Sequence, residues 1–448
     1  MGFFNPALET CPRPALQALQ ARRLARLLTD VPEHNPFYRS KLRAAGLGSP
    51  ATLARLCRDP RGVQALPFTT KAELLDDQAK HPPWGTNLSV PPEVLVRQHQ
   101  TSGTTGTPLR WGDTRESWAW LASLWGYQYE AAGVTARDTI YMAFSFGHFL
   151  GYWTALDAGM QAGALVLTGG GQSSVQRLEA MLEHRATILL CNPGYALRLA
   201  EIAAHRGVRL QESAVRAIIC GGEPGASIPA TRARIESRWN ARCYDRIGAT
   251  EVGHTGFTCE AGQVHLIESE YLFEVLHPQR LTPVKAGEEG ELVATNFGRR
   301  AMPVIRYRTG DLVRLGEGPC RCGRSFVHLD GGILGRADDM IVVRGVNLFP
   351  SAIENLLLGD PAVLEFQASL ARVREMGELR LTVEVDPTRG QPREVAARLA
   401  NLFHRQLGLR ADIHPVSPGT LTRSEGKTRR FTWTEGREPN EAPREVDG

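Results

Sequence analysis

In the middle of the chain, short continuous apolar runs end in glycine-rich turns and alternate with stretches of helical periodicity. The runs occupy residues 139–144, 164–168, 187–191, 217–220 and 242–247, and helical patterns at 174–184 and 194–205 lie between them. Apolar strands separated by helices are typical of a mostly parallel sheet that is covered on both faces. The pattern therefore predicts a layered α/β fold for this part of the chain.

The flanking regions follow other patterns. A stripe of leucines predicts a helix over 14–28, and residues 289–315 alternate between strand and turn signals. A polar, glycine-containing break at 335–339 precedes a second α+β pattern, in which alternating apolar residues at 379–385 predict a strand and a helix follows Pro392. We therefore predict a large N-terminal domain over 1–337 with a β-rich subdomain, a small α+β domain over 338–433, and a disordered tail over 434–448.

Charge and composition exclude several classes of function. The 448 residues carry 52 Lys and Arg against 48 Asp and Glu, a formal net charge of +4, and the arginines are dispersed, so no nucleic-acid partner is expected. No apolar run is long enough to span a membrane, and Met1 to Thr10 lacks the pattern of an export signal. A cytoplasmic protein without a membrane partner is expected, in which eight cysteines serve as thiols or metal ligands.

One local motif has the composition of a phosphate-binding loop. Residues 101–108 read TSGTTGTP, in which glycines let the backbone turn its N–H groups inward and hydroxyls add further donors. The motif is not the GxxxxGK[ST] loop, because no Lys-Ser/Thr pair follows the last glycine. Taken alone, the same composition also suits a polar surface loop.

Further motifs follow in a fixed order: GGEP at 221–224, YDRIGATE at 244–251, YRTGDL at 307–312, the stretch 335–350, and SEGK at 424–427. This ordered set resembles the adenylate-forming superfamily of acyl-CoA synthetases, luciferases and adenylation domains. NPFYR at 35–39, LPFTTK at 66–71 and RGVNLFP at 344–350 are similar to stretches of the phenylacetate–CoA ligases. The resemblance runs from about residue 30 to 430. It implies ATP-dependent activation of a carboxylic acid to acyl-AMP and then to the acyl-CoA thioester, with a mobile C-terminal domain.

The resemblance also implies a nucleotide site. The phosphates are expected at Thr101, Ser102, Gly103, Thr104, Thr105 and Gly106, the adenine and its surroundings at Gly222, Glu223, Pro224, Asp245, Ile247, Gly248 and Thr250, and the ribose at Asp311 with Arg336 nearby. Two positions depart from the family. Thr107 stands where relatives often have lysine, which removes a charge near the phosphates. Ile247 stands where relatives commonly have an aromatic residue, which keeps an apolar contact but loses ring stacking.

The catalytic residues implied by the resemblance are Glu251 and Lys427. Glu251 is expected to help bind Mg²⁺, which neutralises phosphate charge. The ammonium of Lys427 is expected to stabilise the transition state as two anions join. Only five of the 52 basic residues are lysines, which favours a specific need for a compact charge at this position. Asp338 is the expected hinge of the C-terminal domain.

An aromatic acid is the expected substrate. Phe144, Phe146, His148 and Tyr152 follow the first central strand, where this family builds its acid pocket, and Gly222 and Ala249 are small enough to leave room for a ring. The alternative is that some of these aromatic residues fill the core.

Cysteine and histidine spacing predicts a structural zinc site. Cys259-x5-His265 and Cys320-x-Cys322 together offer three thiolates and one imidazole, a set that suits closed tetrahedral Zn²⁺. Similar pairs occur in relatives of phenylacetate–CoA ligase. The alternative is ordinary thiols, since one intervening residue is tighter than the usual spacing of two.

Two rival functions stay open on the sequence. The acceptor of the acyl group could be an amine or a carrier protein instead of CoA. The chain could also be a non-catalytic nucleotide-binding protein, although the presence of Glu251, Asp311 and Lys427 argues against it. A homodimer is compatible with the sequence.

Overall fold

The structure, a computed structural model, describes residues 2–58, 62–101, 107–337, 341–343, 346–373, 376–407, 409, 411–423 and 430–434. Among the predicted site residues, 102–106, Asp338 and Lys427 lie outside the described residues, as do positions 435–448 of the expected tail. None of the described helices is both long and apolar enough to cross a lipid bilayer.

The first hundred residues form a helical layer. It contains α1 (Pro6–Glu9), α2 (Arg13–His34), α3 (Pro36–Ala44), α4 (Pro50–Arg58) and α5 (Lys71–Lys80), with 3₁₀ turns at Gly62–Ala65 and Pro92–Val94. The predicted helix over 14–28 is α2, which runs further than expected because Val31 extends its buried face. The side chain of Asn35 starts α3 by accepting the backbone N–H of Tyr38.

A two-stranded hairpin and two helices follow. The strands β1 (Leu95–Gln100) and β2 (Arg110–Thr114) are antiparallel, and the segment predicted to bind phosphate connects them. Helices α6 (Arg115–Ser123) and α7 (Trp125–Ala131) then lead into the central sheet.

The central α/β layer confirms the predicted strands, whose ends shift by at most two residues. It contains β3 (Thr139–Met142), α8 (Trp153–Gln161), β4 (Leu165–Thr168), α9 (Ser174–Glu183), β5 (Ile188–Cys191), α10 (Pro193–His205), a 3₁₀ turn at Leu210–Glu212, β6 (Ala217–Cys220), α11 (Pro229–Trp239) and β7 (Arg242–Ala249). All pairs in the order β4-β3-β5-β6-β7 are parallel. Alternate strand residues face opposite helical layers, which explains the continuous apolar runs.

Beyond β7 the sheet becomes antiparallel, which agrees with the β-rich subdomain predicted from the strand and turn signals at 289–315. It continues through β8 (Gly253–Thr258), β9 (Val264–Leu266), β10 (Tyr271–Leu276), β11 (Glu289–Asn296), β12 (Tyr307–Leu315) and β13 (His328–Arg336). The full order of the eleven strands is β10-β11-β12-β13-β9-β8-β7-β6-β5-β3-β4. The turn between β7 and β8 is too short for the crossover that a parallel pair needs.

The C-terminal region forms a second α+β unit with its own core. It contains β14 (Ile341–Val343), β15 (Val346–Leu348), α12 (Pro350–Gly359), β16 (Val363–Val373), β17 (Met376–Val385), α13 (Pro392–Leu407), β18 (Asp412–Val416) and β19 (Phe431–Thr434). Its four-stranded sheet has the order β18-β17-β16-β19. Thr434 pairs with Ala371, so the last strand extends one residue into the segment expected to be a tail.

Candidate functional site

The two ends of the 101–109 segment are held together at the base of the β1–β2 hairpin. The backbone N–H of buried Thr101 donates to the carbonyl of Leu109 at 3.0 Å, and the N–H of Leu109 donates to Thr101 Oγ1 at 3.1 Å. Gln100 N–H donates to the carbonyl of His148 at 2.8 Å, which connects this hairpin to the loop after β3. The glycine-rich segment therefore starts from a fixed base beside the predicted acid pocket.

Glu251 lies in the turn between β7 and β8 and is 6% exposed. Its Oε1 is 3.3 Å from Lys71 Nζ, at the start of α5. Lys71 was not among the predicted site residues, although the scarcity of lysine in this chain is a signal that could have indicated it. A buried carboxylate and a half-exposed ammonium therefore meet where the resemblance places the phosphates.

A buried ion pair fixes the backbone of this turn. Arg299 Nη1 donates to the carbonyls of Thr250 at 2.5 Å and Glu251 at 3.4 Å, while Nε and Nη2 each lie 2.7 Å from a different carboxylate oxygen of Asp113. Both partners of the pair are fully buried. Burial alone would raise the pKa of Asp113, but Arg299 and His99 outweigh it and lower the pKa below its ordinary value. The pair is thus charged, and it orients Glu251 through the main chain.

The GGEP turn follows β6 at the carboxyl edge of the parallel strands. Gly222 has a φ of +89°, a conformation that favours glycine. The carboxylate of Glu223 accepts the backbone N–H of Gly194 at 3.1 Å, at the start of α10. Gly222 and Pro224 are exposed, so this turn presents backbone and ring surface at the edge where ligands of such sheets bind.

The predicted site residues of the YDRIGATE segment differ in burial. Asp245 is buried and accepts the hydroxyl of Ser227, and burial raises its pKa. Ile247 packs into the hydrophobic cluster of the antiparallel strands and is 4% exposed. Gly248 is exposed, and a Cβ there would lie 2.4 Å from the carbonyl oxygen of Gly253, so only glycine fits this turn.

Asp311 and Arg336 face each other across β12 and β13. Asp311 Oδ1 lies 3.3 Å from Arg336 Nη1, and the two residues are direct partners in the strand register. Gly310 has a φ of +76°, and a Cβ there would lie 2.7 Å from Arg336 Nη2. The glycine therefore lets the guanidinium lie against the turn that carries Asp311.

The predicted acid-pocket aromatics form two pairs after β3. The rings of Phe144 and Tyr152 are stacked with centroids 3.3 Å apart, and Phe146 meets Trp153 edge-on at 4.7 Å. The Tyr152 hydroxyl donates to the carbonyl of Gly221 at 2.8 Å, which joins the aromatic cluster to the GGEP turn. Predicted pocket residue His148 is exposed, whereas Ala249 is half-buried.

Three neighbouring residues were missed by the sequence analysis. Arg246, Trp125 and His254 pack against one another next to Tyr152, with the Arg246 guanidinium carbon 4.4 Å from the Trp125 ring. An arginine between Asp245 and Ile247, inside a strand that is otherwise buried, was the signal that could have found this cluster.

The four predicted zinc ligands meet in one place. Their ligand atoms all lie within 4.8 Å of one another, and all four residues are buried. Cys259 Sγ and Cys320 Sγ are 3.8 Å apart, and Cys322 Sγ is 3.3 Å from His265 Nε2. Tetrahedral zinc with Zn–S bonds of about 2.3 Å places sulfurs about 3.8 Å apart, so the geometry fits. His265 Nδ1 contacts the carbonyl of Phe326 at 2.9 Å, the kind of outer contact that orients a ligating imidazole.

Two family models match the chain. The model described as AMP-binding enzyme matches residues 54–298, and the model described as AMP-binding enzyme C-terminal domain matches residues 345–433. Phenylacetate-coenzyme A ligase of Thermus thermophilus is 33% identical, with 95% of this chain and 97% of the relative aligned. Phenylacetate-coenzyme A ligase of Escherichia coli is 31% identical, with 94% and 95% aligned.

A solved structure of 2-hydroxyisobutyryl-CoA ligase also matches. In its postadenylation state that protein is 27% identical and superposes with a TM-score of 0.90, covering 96% of this chain and 92% of the other. In its thioesterification state, with CoA and an acyl-AMP bound, the TM-score falls to 0.72.

Proposed function

This chain belongs to the phenylacetate–CoA ligases of the AMP-binding enzyme family, and from that premise we propose that it activates an aromatic carboxylic acid. It is an AMP-forming acid–CoA ligase. The acid's carboxylate attacks the α-phosphorus of ATP, which gives acyl-AMP and releases pyrophosphate. The thiol of CoA then attacks the acyl carbon, which gives the thioester and releases AMP.

The single observation that supports an aromatic acid is the stack of Phe144 on Tyr152 beside the GGEP turn. Flat apolar walls next to a glycine-rich edge suit a planar ring. Phe146 extends the aromatic surface, and Gly222 and Ala249 are proposed to leave room for the ring because their side chains are small. His148, which is exposed, is proposed at the entrance to the pocket rather than on its floor.

We propose that the nucleotide lies along the edge formed by the GGEP turn, the YDRIGATE segment and the β12–β13 pair. Asp311 accepts hydrogen bonds from the ribose hydroxyls, which a carboxylate does well, and Arg336 holds it in place. The remaining residues proposed to surround the nucleotide are Thr101, Ser102, Gly103, Thr104, Thr105 and Gly106 at the phosphates, and Gly222, Glu223, Pro224, Asp245, Ile247, Gly248 and Thr250 at the base and its surroundings.

Glu251 is proposed to hold Mg²⁺ together with ATP. Its carboxylate is buried, and its backbone is fixed by Arg299, so it offers an oriented oxygen ligand. The metal would supply neutralisation of phosphate charge. Lys71, at 3.3 Å from the same carboxylate, is proposed to contribute a second positive charge beside the phosphates, where Thr107 contributes none.

Lys427 is proposed as the catalytic cation of the first half-reaction, and Asp338 as the hinge that removes it for the second. The two states of 2-hydroxyisobutyryl-CoA ligase, which match this chain with TM-scores of 0.90 and 0.72, support a rotation of this kind. The described contacts of the C-terminal unit with α10 and α11 include two hydrogen bonds and one ion pair, which can be broken at modest cost, although Ala230 also packs against the core of that unit.

The Cys259, His265, Cys320 and Cys322 cluster is proposed to hold one structural Zn²⁺. All four coordination positions are filled by protein ligands, so no position is left for a substrate. The ion would tie β8 and β9 to the loop between β12 and β13, and would add stability to the antiparallel half of the sheet.

The proposed substrate class is tested by AMP release from MgATP across a panel of aromatic, arylacetic, unbranched aliphatic and 2-hydroxy aliphatic acids, with and without CoA. We expect AMP and an acyl-CoA, identified by mass, from at least one aromatic or arylacetic acid. Activation of aliphatic acids alone would contradict the aromatic pocket. Acyl-AMP formed without any CoA product would contradict the thioester-forming step.

A further inference from the structure

Arg246 is a buried arginine in the middle of β7. The residue is 7% exposed, and it lies three residues before the end of the strand at Ala249, about 10 Å at the usual rise of a strand. Arginine is almost never buried in a folded protein unless a partner compensates its charge. The charge of this guanidinium therefore requires a partner.

Trp125 offers the face of its ring to this cation, but no described group supplies a hydrogen-bond acceptor or a paired anion. Among the described residues, no carboxylate, carbonyl or hydroxyl accepts a hydrogen bond from the Arg246 side chain, and its Nε is enclosed without any acceptor. The adjacent carboxylate, Asp245, is already bonded to the hydroxyl of Ser227. Burial lowers the pKa of Arg246 to about 10, so the guanidinium still carries its charge at neutral pH. A buried charge without a paired anion destabilises a folded protein.

The guanidinium lies at the wall of the proposed acid pocket. It stacks on Trp125, whose ring is 6.4 Å from that of Tyr152. A Cβ at Gly221 would lie 3.5 Å from the Tyr152 hydroxyl and 3.7 Å from Arg246 Cδ, so the arginine, the tyrosine and the GGEP turn share one wall. The cation thus lies beside the tyrosine and the turn that we propose as lining of the acid pocket.

His254 does not neutralise or add to this charge. It projects from the same face of the sheet, because its register partner Gly248 lies two residues from Arg246. Burial, together with Arg246, lowers the pKa of His254 well below its ordinary value, so the imidazole is neutral. Its Nε2 contacts the carbonyl of Gly256 at 2.8 Å, and its Nδ1 is enclosed without a partner. The pocket wall therefore carries one net positive charge and one additional polar atom.

We propose that Arg246 is a specificity-determining residue, and that it pairs with a second carboxylate carried by the aromatic acid at the end remote from the reacting carboxyl. This inference rests on the proposed function, and it narrows the substrate class to aromatic dicarboxylic acids. The substrate completes the buried ion pair that the folded protein leaves incomplete. The planar fork of arginine suits a carboxylate, with which it forms two parallel hydrogen bonds.

The test compares AMP release from phenylacetate, from the three carboxyphenylacetate isomers and from 4-hydroxyphenylacetate. We expect the wild-type protein to prefer one carboxyphenylacetate over phenylacetate in kcat/KM by about 10- to 100-fold, the range of a charge-assisted hydrogen-bonded pair. Arg246→Met is expected to abolish this preference while it keeps or improves the use of phenylacetate. Arg246→Lys keeps the charge without the fork and is expected to lose only part of the preference.

Arg242→Met is the matched control, because Arg242 starts the same strand and is exposed. It is expected to leave the preference unchanged. If Arg246→Met lowers kcat/KM equally for all acids, the inference would be overturned, because Arg246 would then act on the reacting carboxylate or serve only to stabilise the fold. If 4-hydroxyphenylacetate exceeds phenylacetate in kcat/KM by as much as the preferred carboxyphenylacetate does, the proposed pairing of charges would be overturned, because His254 could bind a hydroxyl group.

The outcomes separate this inference from the function on which it rests. Wild-type activation of phenylacetate, with no gain from any carboxyphenylacetate, overturns the inference and leaves the proposed function in place. No AMP from any of the aromatic probes, with AMP from aliphatic acids, overturns both. If Arg246→Met does not fold, as judged by its thermal unfolding, the loss of preference in Arg246→Lys decides the question.

Discussion

At the scale of single residues, the position of Glu251 depends on side chains far away in the sequence. Arg299 holds the carbonyls of the turn, Asp113 holds Arg299 with two bonds, and Trp111 lies under the guanidinium at 4.9 Å. Asp113 and Arg299 are separated by 186 positions. The motif around Glu251 is recognisable in the sequence. The Asp113–Arg299 pair that supports it is not, because these residues meet only in the folded chain.

Replacing Arg299 with methionine is expected to destabilise the protein strongly. The change leaves the Asp113 carboxylate buried without its partner, which costs about 3–5 kcal/mol in comparable cases. We expect a clear drop in the thermal unfolding temperature, together with weaker AMP formation because the Glu251 turn loses its support. Arg300→Met is the matched control, since the neighbouring Arg300 is half-exposed and makes a surface pair with Asp30 that is worth about 1 kcal/mol or less.

The same pair predicts how stability changes with pH. The pKa of Asp113 is lowered in the folded protein, so its contribution is present above the unfolded value of about 3.9 and is lost as pH falls through the folded value. The difference in stability between wild type and Arg299→Met should therefore shrink in acid. Equal unfolding temperatures for Arg299→Met and Arg300→Met at neutral pH would contradict the account.

At the scale of elements, the parts that the sequence predicts are those whose signals are local. The strands β3, β5 and β6 are continuous apolar runs, and the four residues of the Cys/His cluster come as two pairs that are each close in the sequence, so the strands and the cluster could be predicted. The β1 strand reads LVRQHQ and has no apolar alternation to indicate a strand. The pairing of β9 with β13 joins segments about sixty residues apart, and nothing in either segment specifies the partner.

Removal of the proposed zinc ion is expected to destabilise the antiparallel half of the sheet without affecting the reaction. The purified protein should contain one zinc ion per chain, and a strong chelator should lower its thermal unfolding temperature. Cys322→Ser should lose the metal and reproduce that drop, whereas Cys57→Ser, which changes a half-buried thiol in α4, should do neither. Adenylation by the folded fraction should persist at low temperature. A metal-free protein whose unfolding is insensitive to the chelator would contradict the proposed site.

At the scale of the whole molecule, many of the described contacts between the C-terminal unit and the large domain are polar. Thr231 Oγ1 donates to Glu354 at 2.6 Å, the N–H of Ala230 donates to Asn355 at 3.2 Å, and Arg423 lies 3.5 Å from Glu201. The first two contacts tie α12 to α11 and the third joins Arg423 to α10, in an arrangement that resembles the postadenylation state of 2-hydroxyisobutyryl-CoA ligase. A polar contact of this kind can open at modest cost, which suits two half-reactions carried out by one chain in two arrangements.

The most direct test of this account is to measure the two half-reactions separately in Lys427→Ala, with Lys285→Ala, an exposed lysine of the β10–β11 loop, as the control. Single-turnover formation of acyl-AMP from acid and MgATP is compared with thioester formation from supplied acyl-AMP and CoA. We expect acyl-AMP formation to fall by about 100-fold or more, since the lost charge stabilises only that transition state. Thioester formation should stay close to that of the wild-type and control proteins. An equal loss of both half-reactions in Lys427→Ala would contradict the assignment of separate tasks to two arrangements of the chain.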